Sequence, residues 1–152
     1  KNYYVSGTPQ EAYSLAFKYA GPHMWFFELN GAWMNRAYVD LSPVRHEALP
    51  DLWKVCSSEA ELEQRLREIS TQDKFNEALV INMSLGKLIY LSRSASLNLN
   101  LSINNLLDNR NIQTGGYQQG RFDYKNFSTT KYPNKYYYAQ GIRIFVNAGV
   151  RF

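Results

Sequence analysis

Residue types that carry out chemistry are few in this chain and lie far apart. His23 and His46 have no second histidine at the spacing of a metal site, and the single Cys56 excludes an internal disulfide and a four-cysteine metal site. Neither a Gly-x-Ser-x-Gly sequence nor a phosphate-binding loop is present. The net charge of +4 comes from scattered residues, which argues against nucleic-acid binding. The sequence therefore predicts that the chain is not an enzyme, and it indicates no metal site and no cofactor.

A second group of residues suits binding rather than catalysis. Trp53 lies in one predicted loop, and Tyr117, Gln118, Arg121 and Phe122 lie in another. Flat aromatic rings stack on sugars, whereas amide and guanidinium groups bond to hydroxyl groups and peptide backbones. These residues are therefore candidates for contact with a substrate or a partner. The alternative interpretation is that they only fold their loops or pack against a neighbouring protein.

The elements that must position these loops are strands, because apolar residues recur at every second position. In the segment from Ser96 to Asn105, four aliphatic residues alternate with Ser and Asn. The same alternation predicts five strands, at about 13–19, 25–33, 79–85, 96–105 and 143–152.

These strands are typical of a transmembrane β-barrel. In the segment from Ser96 to Asn105, the aliphatic face suits lipid, and the small uncharged polar face suits a wetted interior. Tyr13, Tyr19, Trp25 and Trp33 lie near strand ends, where aromatic girdles occur. The predicted fold is all-β, with antiparallel up-and-down strands that form the last five strands of such a barrel. A soluble β-sandwich or small barrel that binds a carbohydrate or peptide explains the alternation equally well and the girdle less well.

Short and long connections alternate between the predicted strands. Short turns lie around 20–23 and 92–94, whereas the connections at about 39–76 and 106–135 are long. Outer-membrane barrels have short periplasmic turns and long extracellular loops, so the long connections are predicted to be extracellular. Five strands are an odd number and leave two open edges. We therefore expect residues 1–152 to be the C-terminal part of a larger barrel.

One short helix is predicted in the first long loop. Ser58 and Glu61 match a capping box, and Leu62, Leu66 and Ile69 form a narrow apolar stripe. We expect this helix to pack on its own loop, and a helix that binds a partner is the alternative.

Several segments of the chain resemble one protein family. They are the strand that runs into Asn104-Asn105-Leu106-Leu107-Asp108-Asn109, the run from Gly115 to Asp123, the run from Lys135 to Gly141, and the closing Val150-Arg151-Phe152. Together they resemble the last part of SusC/RagA-type TonB-dependent outer-membrane receptors. Residues 7–10 and 38–40 are similar to earlier segments of that family.

The resemblance implies a 22-stranded barrel with an N-terminal plug, in the outer membrane of a Gram-negative bacterium. Such receptors import glycans or peptides with energy delivered by the TonB complex, and a SusD-type surface lipoprotein caps their extracellular loops. The plug and the earlier strands would lie outside residues 1–152.

The last strand carries a further implication of the resemblance. In the family this strand ends in an aromatic residue preceded by alternating apolar positions, and it resembles the signal read by the barrel-assembly machinery. The corresponding residues here are Phe152, Val150, Ala148, Val146 and Ile144. The alternative is that these residues only face lipid, and the two roles are compatible.

Overall fold

The computed structural model describes residues 3–47 and 49–152, without the side chains of residues 49–51. The described strands are β1 (Glu11–Gly21), β2 (Trp25–Asn35), β3 (Ala78–Tyr90), β4 (Ser96–Asn104), β5 (Gln113–Tyr117), β6 (Lys135–Tyr138) and β7 (Arg143–Arg151). The described helices are α1 (Pro43–Glu47), α2 (Glu59–Ser70), and two 3-10 helices at Pro22–Met24 and Leu49–Lys54. The chain divides into a sheet unit, residues 11–35, 77–112 and 138–152, and a loop unit, residues 1–10, 36–76 and 113–137. Residues 1, 2 and 48, which the predicted span 1–152 includes, lie outside the described residues.

The sheet unit consists of one antiparallel sheet with the strand order β1-β2-β3-β4-β7. The prediction of an all-β fold is confirmed, and the five predicted strands are the strands of this sheet. Within the described residues, β1 and β7 pair on one side only and form the two edges.

Two tight turns join the strands within hairpins. Between β1 and β2, His23 and Met24 both adopt the left-handed region, with φ of 57° each, a conformation that favours glycine and asparagine. Between β3 and β4, the Ser92 hydroxyl accepts hydrogen bonds from the backbone N–H groups of Ser94 (3.3 Å) and Ala95 (3.1 Å). These turns set the registers of their hairpins.

The two turns are staggered along the strands. The first residue of β2, Trp25, pairs with Lys87 of β3, so the first turn lies level with Lys87. The β3–β4 hairpin closes at the pair Tyr90 and Ser96, which is three residues further along β3. Three residues span roughly 10 Å along a strand, and the two hairpins lie about two strand spacings, or roughly 10 Å, apart. The line through the turns is therefore inclined to the strands by about 45°.

The loop unit has a small hydrophobic core of its own. Its buried members are Leu52, Ile69, Phe122 and Phe127, and Leu62 and Leu66 of α2 pack against them. The predicted helix is confirmed, with its apolar stripe facing this core. Ser58 Oγ accepts a hydrogen bond from Glu61 N–H (3.2 Å), and the Glu61 carboxylate accepts one from Ser57 N–H (2.9 Å).

The long loops contain more regular structure than the sequence predicted. The helix α1 adds to the one predicted helix, and β5 pairs with β6 in a region that was predicted to be a loop. The sequences of β5 (Gln-Thr-Gly-Gly-Tyr) and β6 (Lys-Tyr-Tyr-Tyr) do not alternate apolar and polar residues, so periodicity does not reveal these strands. Their pairing partners are also distant in the chain, so only the tertiary fold brings them together.

Candidate functional site

Cross-strand register places most of the apolar residues of the five strands on one face of the sheet, which we call the apolar face. Residues paired across antiparallel strands have their side chains on the same face. One continuous row consists of Phe17, Leu29, Met83, Ile103 and Ile144. The next row consists of Tyr19, Phe27, Leu85, Leu101 and Val146. The apolar alternation of each strand is therefore in phase with that of its neighbours.

The apolar face is open to its surroundings. Leu15 is 81% exposed, Phe17 58% and Val146 70%. Soluble monomeric proteins rarely expose a continuous apolar patch larger than a few hundred Å². This face therefore requires an apolar partner, either lipid or another protein surface.

Aromatic residues lie at both ends of the first hairpin on this face. Near the long-loop end, Tyr13 pairs with Trp33, and their ring centroids are 5.6 Å apart. Near the turn, Tyr19 pairs with Phe27, and Trp25 begins β2. The structure thus places the four predicted girdle residues on one face, in two groups at opposite ends of the strands.

The opposite face, which we call the polar face, carries Asn, Ser and charged side chains, and also a few large apolar ones such as Phe26, Leu88 and Phe145. Asn30 pairs with Asn82, and the hydroxyl groups of Ser84 and Ser102 lie 3.4 Å apart. Lys18 and Glu28 form an ion pair of 3.3 Å on this face. A face of this composition suits water rather than a packed core.

The proposed assembly residues lie on the edge strand. Ile144, Val146, Ala148 and Val150 all point to the apolar face, where they pair with residues of β4. Phe152 follows β7 and is 94% exposed. An apolar edge strand with one free side has the geometry needed for strand addition. Its recognition by assembly machinery stays a prediction.

The loop residues predicted to contact a substrate or partner have different environments in the loop unit. Trp53 and Tyr117 are exposed, and the Arg121 guanidinium lies 6.0 Å from the Tyr132 ring centroid. Gln118 and Phe122 are buried. The structure therefore does not bring the five side chains to one surface. For Gln118 and Phe122 the burial favours the interpretation in which they fold the loop.

Gln118 holds two segments of the loop unit together. Its backbone N–H donates to the Asp40 carbonyl (3.0 Å), and its side-chain carbonyl accepts a hydrogen bond from Ser42 N–H (3.0 Å). The same oxygen lies 3.2 Å from His46 Nε2, and His46 Nδ1 lies 3.1 Å from the Tyr3 hydroxyl. The His46 ring is thus engaged in the local hydrogen-bond network.

Arg45 is the buried cation of the loop unit that sequence reasoning missed. Its guanidinium donates to the carbonyls of Gln119 (3.1 Å) and Tyr132 and to Asn134 Oδ1 (2.9 Å). Burial lowers the pKa of Arg45, and the nearby Asp73 carboxylate opposes that shift. Its partners come from a segment more than 70 residues away, and no local pattern signals such a contact.

A polar cavity of about 260 Å³ adjoins this network. Its walls include Arg45, Asp73, Gln118, Asn134 and Tyr136. Asp73 accepts hydrogen bonds from the Asn134 amide and from the Tyr136 hydroxyl (3.1 Å). The loop unit therefore has a concave polar feature that differs from the predicted set of five residues.

A second carboxylate of the loop unit organises its own turn. Asp123 accepts a hydrogen bond from the Asn126 side-chain amide (2.8 Å) and one from Lys125 N–H (3.2 Å). The Asn126 amide is the main cause of a lowered pKa for Asp123. This residue therefore stays ionised and structural at neutral pH.

The described part of the chain contains neither a cluster of metal ligands nor a helix suited to span a membrane. No group of three or more His, Cys, Asp or Glu side chains there could hold a metal ion. Among the same residues, no helix is both long enough and apolar enough to cross a membrane.

Comparison with known proteins gives no relative. No protein-family model, no curated protein and no solved structure matches this chain.

Proposed function

We propose that this chain is the C-terminal barrel segment of an outer-membrane, TonB-dependent importer of glycans or peptides, of the SusC/RagA type. In this proposal the apolar face of the sheet contacts lipid and the polar face lines the barrel interior. The loop unit contributes to contact with the substrate or with a SusD-type lipoprotein.

The observation that carries the proposal is the in-phase apolar face. Five strands present continuous apolar rows on one side, open to their surroundings, and a mixed face in which Asn, Ser and charged side chains predominate on the other. A β-sandwich would bury its apolar face under a second sheet, whereas the second sheet described here has only the two short strands β5 and β6. A transmembrane barrel needs an outward apolar face with a polar interior.

Strand length and stagger support the same proposal. The strands of the sheet have 9 to 13 residues, and about 9–11 suffice to cross a bilayer when tilted. Transmembrane strands are tilted by roughly 35–45°. The inclination of about 45° estimated from the two turns would bring both turns to one membrane surface.

The polar cavity supports a binding role for the loop unit. Carboxylate, amide, guanidinium and phenol groups meet there, and these groups suit hydroxyl and peptide ligands. Loops carried on a rigid strand scaffold are common places for binding residues.

Fractionation of cells tests the membrane proposal. An antibody against the exposed loop segment around Trp53 would detect the native polypeptide in separated soluble, inner-membrane and outer-membrane fractions. We expect a band in the outer-membrane fraction, several times heavier than 17.6 kDa, that needs detergent for extraction.

A contrary result would favour the soluble binding module. A band near 17.6 kDa in the soluble fraction would contradict the importer. A protein known to reside in the outer membrane serves as the control for each fraction.

A further inference from the structure

The apolar face carries one charged residue near the turns. Among the described strand positions of this face, the charged residues are Lys87, near the turns, and Glu11, at the far end of β1. It pairs with Trp25 on one side and Leu99 on the other. Charged side chains on a lipid-facing strand are unfavourable, with a penalty that falls from the membrane centre towards its surfaces.

The position of Lys87 near the turns accounts for the presence of a charged residue on this face. Trp25, its pairing partner, is the first residue after the turn at Pro22–Met24. If the apolar face contacts lipid, Lys87 lies at the membrane surface on the side of the short turns. Its ammonium nitrogen is 4.5 Å from the Trp25 ring centroid, within the range of a cation–π interaction.

An apolar groove begins beside this pair. Trp25 and Lys87 line an open cavity of about 230 Å³ whose walls also include Leu85, Leu99 and Val146. A cationic head beside an apolar groove complements a molecule that has an anionic group joined to a hydrocarbon chain.

We propose that Lys87 and Trp25 form a site for an anionic phospholipid of the leaflet on the short-turn side. The Lys87 ammonium binds the lipid phosphate, and one acyl chain lies along the groove between Leu85, Leu99 and Val146. This inference rests on the proposed membrane location of the apolar face.

The test uses the fluorescence of Trp25 in the intact polypeptide that contains residues 1–152. The protein is reconstituted in phosphatidylcholine vesicles that contain a small fraction of brominated phosphatidylglycerol or, separately, brominated phosphatidylcholine. Bromine quenches tryptophan at short range, and subtraction of a Trp25→Phe variant isolates the signal of Trp25. The measured quantity is the ratio of the two quenching constants.

We expect this ratio to be about five for the unaltered protein. One cation near a membrane surface favours an anionic lipid over a neutral lipid by about this factor. Lys87→Gln should lower the ratio to about one, whereas Lys87→Arg should retain it. Lys18→Gln is the matched control, because Lys18 lies near the same turn on the polar face. It should leave the ratio unchanged.

Two results would overturn the lipid site. A ratio near one in the unaltered protein, or an unchanged ratio in Lys87→Gln, would refute the site but leave the membrane location standing. An absence of Trp25 quenching by either lipid would show that the apolar face does not contact lipid, and both proposals would fail.

Discussion

At the residue scale, Asn105 connects the end of β4 to two other segments. Its side-chain NH₂ donates to the carbonyls of Asn109 (3.0 Å) and Gln140 (3.1 Å), and its Oδ1 accepts a hydrogen bond from Asn109 N–H (3.1 Å). It is buried, and its φ of 54° lies in the left-handed region, which asparagine tolerates better than most residues. The hydrogen bonds and the positive φ therefore explain why the second residue of the Asn-Asn-Leu-Leu-Asp-Asn run is asparagine.

Replacing Asn105 should loosen this junction. We expect Asn105→Ala to reduce local stability by about 2 kcal/mol, because it removes three hydrogen bonds of a buried side chain and places alanine at a positive φ. Hydrogen exchange of the backbone amides at 105–112 measures the effect. Asn104→Ala, at the exposed neighbouring position, is the control, and equal effects of the two substitutions would contradict the assignment.

Asp108 makes a second contact near the same junction, and that contact depends on charge. Its carboxylate accepts hydrogen bonds from Ile142 N–H (2.8 Å) and from the Arg110 guanidinium (3.3 Å). The bond from Ile142 is the main cause of a pKa below the ordinary carboxyl value, and Arg110 adds to it. Because the folded-state pKa is lowered, the stabilisation is present above the ordinary pKa of about 3.9 and is lost as the pH falls through the folded value.

The corresponding prediction concerns the Ile142 amide. Its protection from hydrogen exchange, corrected for intrinsic rates, should decrease in acid below the ordinary carboxyl pKa of about 3.9. In Asp108→Asn the protection should no longer change with pH in this range. An identical acid dependence in the two proteins would rule out this role for Asp108.

At the element scale, each strand of the sheet separates two environments. Val146 and Asn147 are neighbours in the middle of β7, yet Val146 lies in a row with Leu101 and Asn147 pairs with Asn100. If the apolar face contacts lipid, a charge is unfavourable at position 146 and tolerated at position 147, although both side chains are exposed.

This contrast gives a matched pair of variants. If the apolar face contacts lipid, Val146→Arg should disfavour the folded membrane state by about 2–4 kcal/mol, whereas Asn147→Arg should have little effect. The fraction of protease-resistant protein in the outer membrane measures both. Similar yields for the two variants would argue against a lipid-facing apolar face.

At the scale of the whole molecule, the main feature of the sheet unit is its pair of free edges. Within the described residues, the outer sides of β1 and β7 have no strand partner. Unpaired strand edges with apolar side chains promote association with other chains. In the proposed barrel, these edges would pair with strands outside residues 1–152.

We therefore expect residues 1–152, when produced alone, to associate or aggregate rather than remain monomeric. Light scattering in detergent and in buffer measures the state of association. A soluble monomer that unfolds cooperatively would contradict this expectation. The intact polypeptide in detergent is the control, because its edges should be paired.

The sequence by itself determined the five strands of the sheet unit and the alternation of their side chains, but not β5 and β6. Period-two alternation is a local property, so the segment from Ser96 to Asn105 could be recognised without any knowledge of its neighbours. The cap of α2 was predictable for the same reason, since Ser58 and Glu61 are three residues apart.

Only the tertiary structure decided how these elements combine. The register aligned Met83 with Ile103 and Ile103 with Ile144, and so joined separate stripes into one apolar face. The fold also buried Gln118 and Phe122 and gave Arg45 its distant partners. Contacts between residues far apart in the chain depend on the path of the backbone, and no local spacing encodes that path.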